Sequence, residues 1–196
     1  AEPWRAIICI VLDLESGQRR LGKSRDLIQM TQLINQLPQI DINCAMIFLD
    51  DVPPEINEIR QCEILLRHST KPLYTLVGTA DKARYIVALF NAAPGLNQSP
   101  DQGYKGLVGI SPESPLNYPK AITDVMKVIL SAGLPTIMLP APLVGFTAPM
   151  TLAGGLVQQN ASMLAFTAMA AVIQPATPLI YGARLAFANM RTGSSI

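Results

Sequence analysis

The sequence predicts a parallel α/β fold, and three features of it lead there. Short runs that are apolar almost throughout recur at residues 44–49, 72–77, 107–110, 136–139 and 178–181, as strands must be in a sheet covered on both faces. Stretches with helical spacing of apolar residues, at 54–67, 81–92, 119–131 and 151–173, separate those runs, which is the alternation of crossover units. The longest Pro/Gly/Thr-rich stretch, Pro140 to Met150, follows a strand end, the place where parallel α/β enzymes carry their chemistry.

The elements follow in order. The apolar run at 7–12 pairs as a hairpin with residues beyond Glu15-Ser16-Gly17-Gln18, where Ser-Gly supplies the turn. A helix opens at Ser24, the expected N-cap, carries Leu27, Ile28, Met30, Leu33, Ile34 and Leu37 on one stripe, and stops at Pro38. Asp50 and Asp51 follow the first crossover strand and precede Pro53-Pro54-Glu55. Acids there suit a helix start, which is the commoner use; a carboxylate at a strand end is the catalytic alternative. His68 ends the next helix with no ligand partner at metal spacing and reads as a surface histidine favoured by the helix dipole. Lys71 begins a strand, the wrong end of a barrel for a Schiff-base lysine.

Two parallel architectures compete. No G-x-G-x-x-G follows the first strand, and Gly154-Gly155 lie inside a helical pattern, which counts against an open dinucleotide-binding sheet. The (β/α)8 barrel is favoured. A complete barrel has eight strands in about 250 residues, whereas this chain of 196 residues offers five crossover strands and a hairpin. The expectation is a single-domain piece, residues 1–196, of a partial TIM barrel whose parent continues at both ends.

Composition narrows the class. With a net charge of +1 and 15% charged residues, the chain carries no electrostatic case for nucleic acid or an anionic membrane surface. Cys9, Cys44 and Cys62 are odd in number and lack metal spacing, so reduced core thiols in a cytoplasmic protein are expected, with no bound metal. The apolar run at 161–173 is shorter than the roughly 20 residues a membrane span needs. A segment apolar on all sides wants cover on all sides, from further sequence or from a second subunit of a homo-oligomer.

The region from Leu139 onward also carries P-x-P-x-x-G-x-T-A-P-x-T-L-A-G-x-L-x-x-x-N-A, then I-Y-G, then M-R-T-G. Upstream, residues 11–20, 51–55, 70–72 and 114–116 supply further blocks in matching order. Together these resemble the trimethylamine methyltransferase family of corrinoid-dependent methylamine and betaine methyltransferases. The resemblance implies a barrel that moves a methyl group from a small methylated or quaternary amine to cob(I)alamin, a corrinoid held by a separate partner protein. It also implies that Ser111 stands where the family more often has an acid.

Residue types then suggest roles without fixing a catalytic group. Tyr181 ends a strand before Gly182 and is a candidate wall for a substrate cation, through cation–π attraction; a strand-end tyrosine with a bonded hydroxyl is the structural alternative. Phe146 is a second candidate wall, or the pin of its loop. Glu113 could hold a cation or stand as an exposed acid, and Arg184 and Arg191 flank the last loop as candidates for a substrate carboxylate or a corrinoid tail, with surface salt bridging the structural alternative and the commoner use for Arg184. Gly145 shapes a tight turn, while Thr147 or Thr151 caps the long helix. Two other functions stay in view: a barrel lyase or hydrolase acting alone, which would need an acid/base pair, and a degenerate fragment serving as a binding module.

Overall fold

The computed structural model describes residues 10–45, 47–93 and 106–192. The chain divides into two compact units, Ala1–Thr75 with Tyr85–Leu107, and Leu76–Arg84 with Val108–Ile196.

In the first unit, β1 (Ile10–Leu12) pairs antiparallel with β2 (Arg19–Leu21), so the expected hairpin forms. Residues 7–9 of its predicted first strand, and Cys9 with them, lie outside the described residues. The next helix, α1 (Ser24–Asn35), is capped one residue earlier than the sequence suggests. Lys23 takes the N-cap position, and its N–H donates to the Asp26 carboxylate at 2.8 Å. Ser24 is already helical, and its N–H donates to Asp51 Oδ1 at 2.9 Å. Asp51 is therefore a helix-capping acid as the commoner reading held, but the helix is α1 and not the one that follows it. In the turn beyond α1, the Lys71 ammonium donates to the carbonyls of Leu37 and Ile40.

Among the described residues, Cys44 of the first crossover run, with Asn43 before it, enters a ladder as β3 (Asn43–Cys44), with Asn43 opposite Leu73 of β4 (Leu73–Leu76) in parallel register. The chain leaves the sheet early because a side chain supplies the next partner. Asn57, fully buried, accepts from Leu49 N–H at 3.2 Å and donates to Leu49 O at 2.7 Å and Val52 O at 3.2 Å. These bonds do for Leu49 what a neighbouring strand would have done, and Ile47 and Leu49 stay buried. Asn57 opens α2 (Asn57–His68), after a 3-10 turn at Pro54–Ile56, and α2 packs on α1. Leu27, Leu49, Ile64, Leu65, Ile86 and Phe90 form this unit's core; Cys62 is buried among the apolar residues, which pushes its thiol up to about 12. α3 (Ala80–Ala92) contributes its second half here and its first turn to the other unit.

The second unit holds most of β5 (Gly106–Ile110), then α4 (Lys120–Ser131), β6 (Thr136–Met138), β7 (Leu143–Val144), α5 (Leu152–Ile173), β8 (Leu179–Tyr181) and β9 (Ala186–Phe187). β6 lies between β5 and β8 and is parallel to both. Every pairing among these crossover strands is parallel, as the continuous apolar runs required.

The long stretch after β6 differs from its sequence reading as a loop. β7 and β9 pair in the same register that β6 and β8 hold, so Thr136 to Val144 and Leu179 to Phe187 run side by side without a slip. Between the two ladders, Arg184 N–H donates to Pro140 O at 3.1 Å and Ala186 N–H to Pro142 O at 3.2 Å. Pro140 and Pro142 lack the N–H that would complete the reciprocal bonds. One extended ribbon therefore appears as two short ladders.

α5 is also longer than the apolar run suggested. Its 22 residues are long and apolar enough, by length and composition alone, to cross a membrane. In this unit it packs on α4 and buries Met163, Phe166 and Ala170, while Val157, Leu164 and Val172 are exposed.

Candidate functional site

Strand register decides which side chains share a face at the carboxyl ends of β5, β6 and β8. Ile110, Met138 and Tyr181 lie in one row, and Gly109, Ile137 and Ile180 in the row behind it. Successive residues of a strand point to opposite faces, so these two rows belong to opposite sides of the sheet.

α5 covers the first side. The Tyr181 hydroxyl donates to Asn160 Oδ1 at 2.8 Å, and Asn160 lies within α5. Farther along the ribbon, a Cβ built on Gly155 would lie 2.9 Å from Val144 and 3.2 Å from Leu185, which places the first turns of α5 on that same side. Tyr181 thus stands on the helix-covered face with its hydroxyl bonded. The row it shares with Ile110 and Met138 puts its side chain on the α5 side.

The opposite side takes Ser111, Leu139, Gly182 and Arg184. The Ser111 hydroxyl donates to Leu139 O at 2.9 Å, and Arg184 Nη2 donates to the Ser111 oxygen at 3.1 Å. Arg184 therefore reaches across the end of β6 to the loop after β5. Gly182 lets the chain lie close against the end of β6: a Cβ there would sit 2.4 Å from the Leu139 side chain and 2.6 Å from Met138 O. Among the described residues no carboxylate pairs with Arg184.

The remaining candidates lie around this point. Glu113 closes a small turn: its backbone exchanges two 3.0 Å bonds with Asn117, whose amide donates to Glu113 Oε2 at 2.9 Å. Gly145, at φ +91°, turns the chain after β7, a conformation that favours glycine. Leu143 N–H donates to Thr147 Oγ1 at 2.9 Å, and Gln158 Nε2 donates to Thr147 O at 2.6 Å. Thr147 thus ties the turn to α5, while Thr151 is the N-cap, accepting from Gly154 N–H at 3.1 Å. Phe146 is exposed at the tip of that turn, and Arg191 is exposed beyond β9, its N–H bonded to Asn189 Oδ1. Neither meets Ser111 or Arg184 through a hydrogen bond among the described residues.

Sequence reasoning passed over Asn160 and the pairing of Arg184 with Ser111. The polar triplet Gln158-Gln159-Asn160 inside an apolar helix was the available signal, since a polar group there needs a partner. Among the described residues no group of three or more His, Cys, Asp or Glu side chains could hold a metal ion.

A parallel α/β unit with polar side chains gathered at its strand ends has the layout of a small-molecule-binding or catalytic protein. The sequence profile of the family described as Trimethylamine methyltransferase (MTTB) matches residues 9–196, and the chain belongs to that family. It is 22% identical over 181 residues to the trimethylamine methyltransferase MttB of Desulfitobacterium hafniense, covering 92% of this chain and 36% of that protein. It is 25% identical over 189 residues to the proline betaine:corrinoid methyltransferase of Eubacterium limosum, covering 90% of this chain and 38% of that one. A glycine betaine methyltransferase of D. hafniense strain Y51 is 38% identical over 81 residues, 41% of this chain and 17% of that protein. The chain thus spans well under half the length of these relatives.

Proposed function

We propose that the protein containing this chain demethylates a small methylated amine and passes the methyl group to cob(I)alamin carried by a separate corrinoid protein. The family match across residues 9–196 carries the reading, and the parallel strands with polar groups at their carboxyl ends support it. In this proposal the two units are parts of a (β/α)8 barrel, the ends of β5, β6 and β8 line its mouth, and the protein is cytoplasmic. The exposed Val157, Leu164 and Val172 of α5 are then covered by the rest of the polypeptide or by a second copy of it.

The chemistry asks for positioning. The C–N electron pair stays on nitrogen, the cobalt electron pair forms the new bond to carbon, and a quaternary donor leaves as a neutral amine that needs no proton. The corrinoid is the acceptor substrate and supplies the nucleophile; this chain holds the donor so that its methyl carbon lies in line.

The test uses the protein at its full natural length, cob(I)alamin, and trimethylamine, glycine betaine, proline betaine, carnitine and choline in turn. Spectroscopic appearance of the methylated corrinoid with at least one amine, and none without amine, is expected. Turnover that needs no corrinoid would point to a lyase or hydrolase, and absence of any turnover to a binding module; either overturns the proposal.

A further inference from the structure

We infer that Arg184, held by Ser111 across the end of β6, anchors a carboxylate on the amine substrate, so that the protein selects zwitterionic methylated amines over simple cations. The inference rests on the function proposed above and assigns a specificity-determining residue within it.

Arg184 is fixed at its backbone and at one edge of its head. Its N–H donates to Pro140 O within the ribbon, and Nη2 donates to the Ser111 oxygen at 3.1 Å. Ser111 gives its own proton to Leu139 O, which leaves its oxygen free to accept and sets the direction from which the guanidinium approaches. Only one of the five guanidinium N–H donors is thereby used among the described residues.

Among the described residues Arg20, Arg25, Arg60, Arg67 and Arg84 each face a carboxylate, while Arg19, Arg184 and Arg191 face none, and of these three it is Arg184, at the strand ends, whose guanidinium is held by a hydrogen bond. A planar fork with parallel free N–H groups matches a carboxylate in two-point contact. Arg184 is exposed, so its free edge is accessible, and the residues beside it on that side of the ribbon are Ala141, Gly182 and Ala186, with Leu139 and Leu143 beyond them.

Charge then separates the substrates. A bare quaternary ammonium close to this guanidinium is repelled, with no acid paired to Arg184 to offset it. A betaine offers its carboxylate to Arg184 and turns its methylated nitrogen away, so the same cation that disfavours trimethylammonium orients the zwitterion.

The experiment compares wild type, Arg184→Gln and Arg184→Lys at full natural length, with glycine betaine and choline as paired substrates that differ in the carboxylate. For each, kcat and KM are measured with saturating corrinoid protein, and binding of each amine is measured by calorimetry without corrinoid. Wild type should prefer glycine betaine. In Arg184→Gln, the ratio of kcat/KM for glycine betaine over choline should fall by roughly 10–100-fold, chiefly through the KM for glycine betaine, with Arg184→Lys in between. An unchanged ratio overturns the anchor while leaving methyl transfer intact, and so does a wild type that uses only uncharged-tail amines. Equal losses on both substrates, with a raised KM for the corrinoid protein, would assign Arg184 to the partner instead. If no amine is turned over, calorimetry still decides: loss of glycine betaine binding in Arg184→Gln keeps the anchor and removes only the methyl-transfer reading. A wild type that turns over no amine and binds no carboxylated amine overturns both.

Discussion

Two arginines show how differently the two units use charge. In the first unit Arg20 is saturated: Nη1 and Nη2 each donate to the Asp26 carboxylate at 2.7 Å, and Nε donates to Asp13 Oδ2 at 3.3 Å. The cluster binds the β1–β2 hairpin to the first turn of α1. Its carboxylates sit low for visible reasons. The Arg20 guanidinium holds Asp26 below the usual carboxylate range, while hydrogen bonds from Ser16, then from Arg20, bring Asp13 down to about 2. Arg184, in the second unit, spends one donor on Ser111 and keeps the rest. An ion cluster with its donors matched to acceptors builds structure; a fixed arginine with donors to spare is what recognition of an external anion requires.

The first way to break this contrast is to remove Arg20. Asp26 is almost wholly buried, so Arg20→Leu strands its carboxylate without a counter-charge. The largest loss of thermal stability among the substitutions considered should follow, with little change in amine affinity. Acid should act through the same pair. Because the folded Asp26 is held below its unfolded value of about 4, its contribution is complete above that pH and fades as pH falls through the depressed folded value. Melting temperatures from pH 6 down to 2 should show this decline in wild type and a shallower one in Arg20→Leu. Equal slopes would make the cluster incidental.

A smaller effect sharpens the contrast at Tyr181. With its hydroxyl bonded to Asn160 and its side chain on the α5 side, Tyr181→Phe should lower stability by no more than about 1 kcal/mol, the worth of one partly exposed hydrogen bond. Tyr181→Ala should leave the dissociation constant for glycine betaine unchanged. A weakened constant in Tyr181→Ala, with the melting temperature retained, would return the ring to the role of a cation wall.

What could be read from the sequence follows from what periodicity encodes. α1 to α5 and the ladders at β4, β5, β6 and β8 stand where apolar spacing put them, since burial of one stripe or of both faces dictates those patterns. The Leu139–Pro140–Ala141–Pro142 stretch reads as loop because proline removes ladder donors, yet its carbonyls still accept, and the ribbon persists. Asn57 shortened β3 through a side-chain substitute that no local pattern announces. At the site, residue type drew attention to Tyr181 and to Arg191. The face on which each strand-end residue stands depends on register between partners 28 and 43 residues apart, a non-local quantity, and it is register that moves the weight to Ser111 and Arg184.

The most direct measurement is hydrogen exchange by mass spectrometry on the full-length protein, with and without saturating glycine betaine. Ligand at the strand ends of the second unit slows exchange in the segments around Ser111, Leu139 to Ala141, and Gly182 to Arg184, and leaves the Asp13–Arg20–Asp26 region as it was. Slowed exchange confined to β1, β2 and α1, with none at those strand ends, would contradict the account.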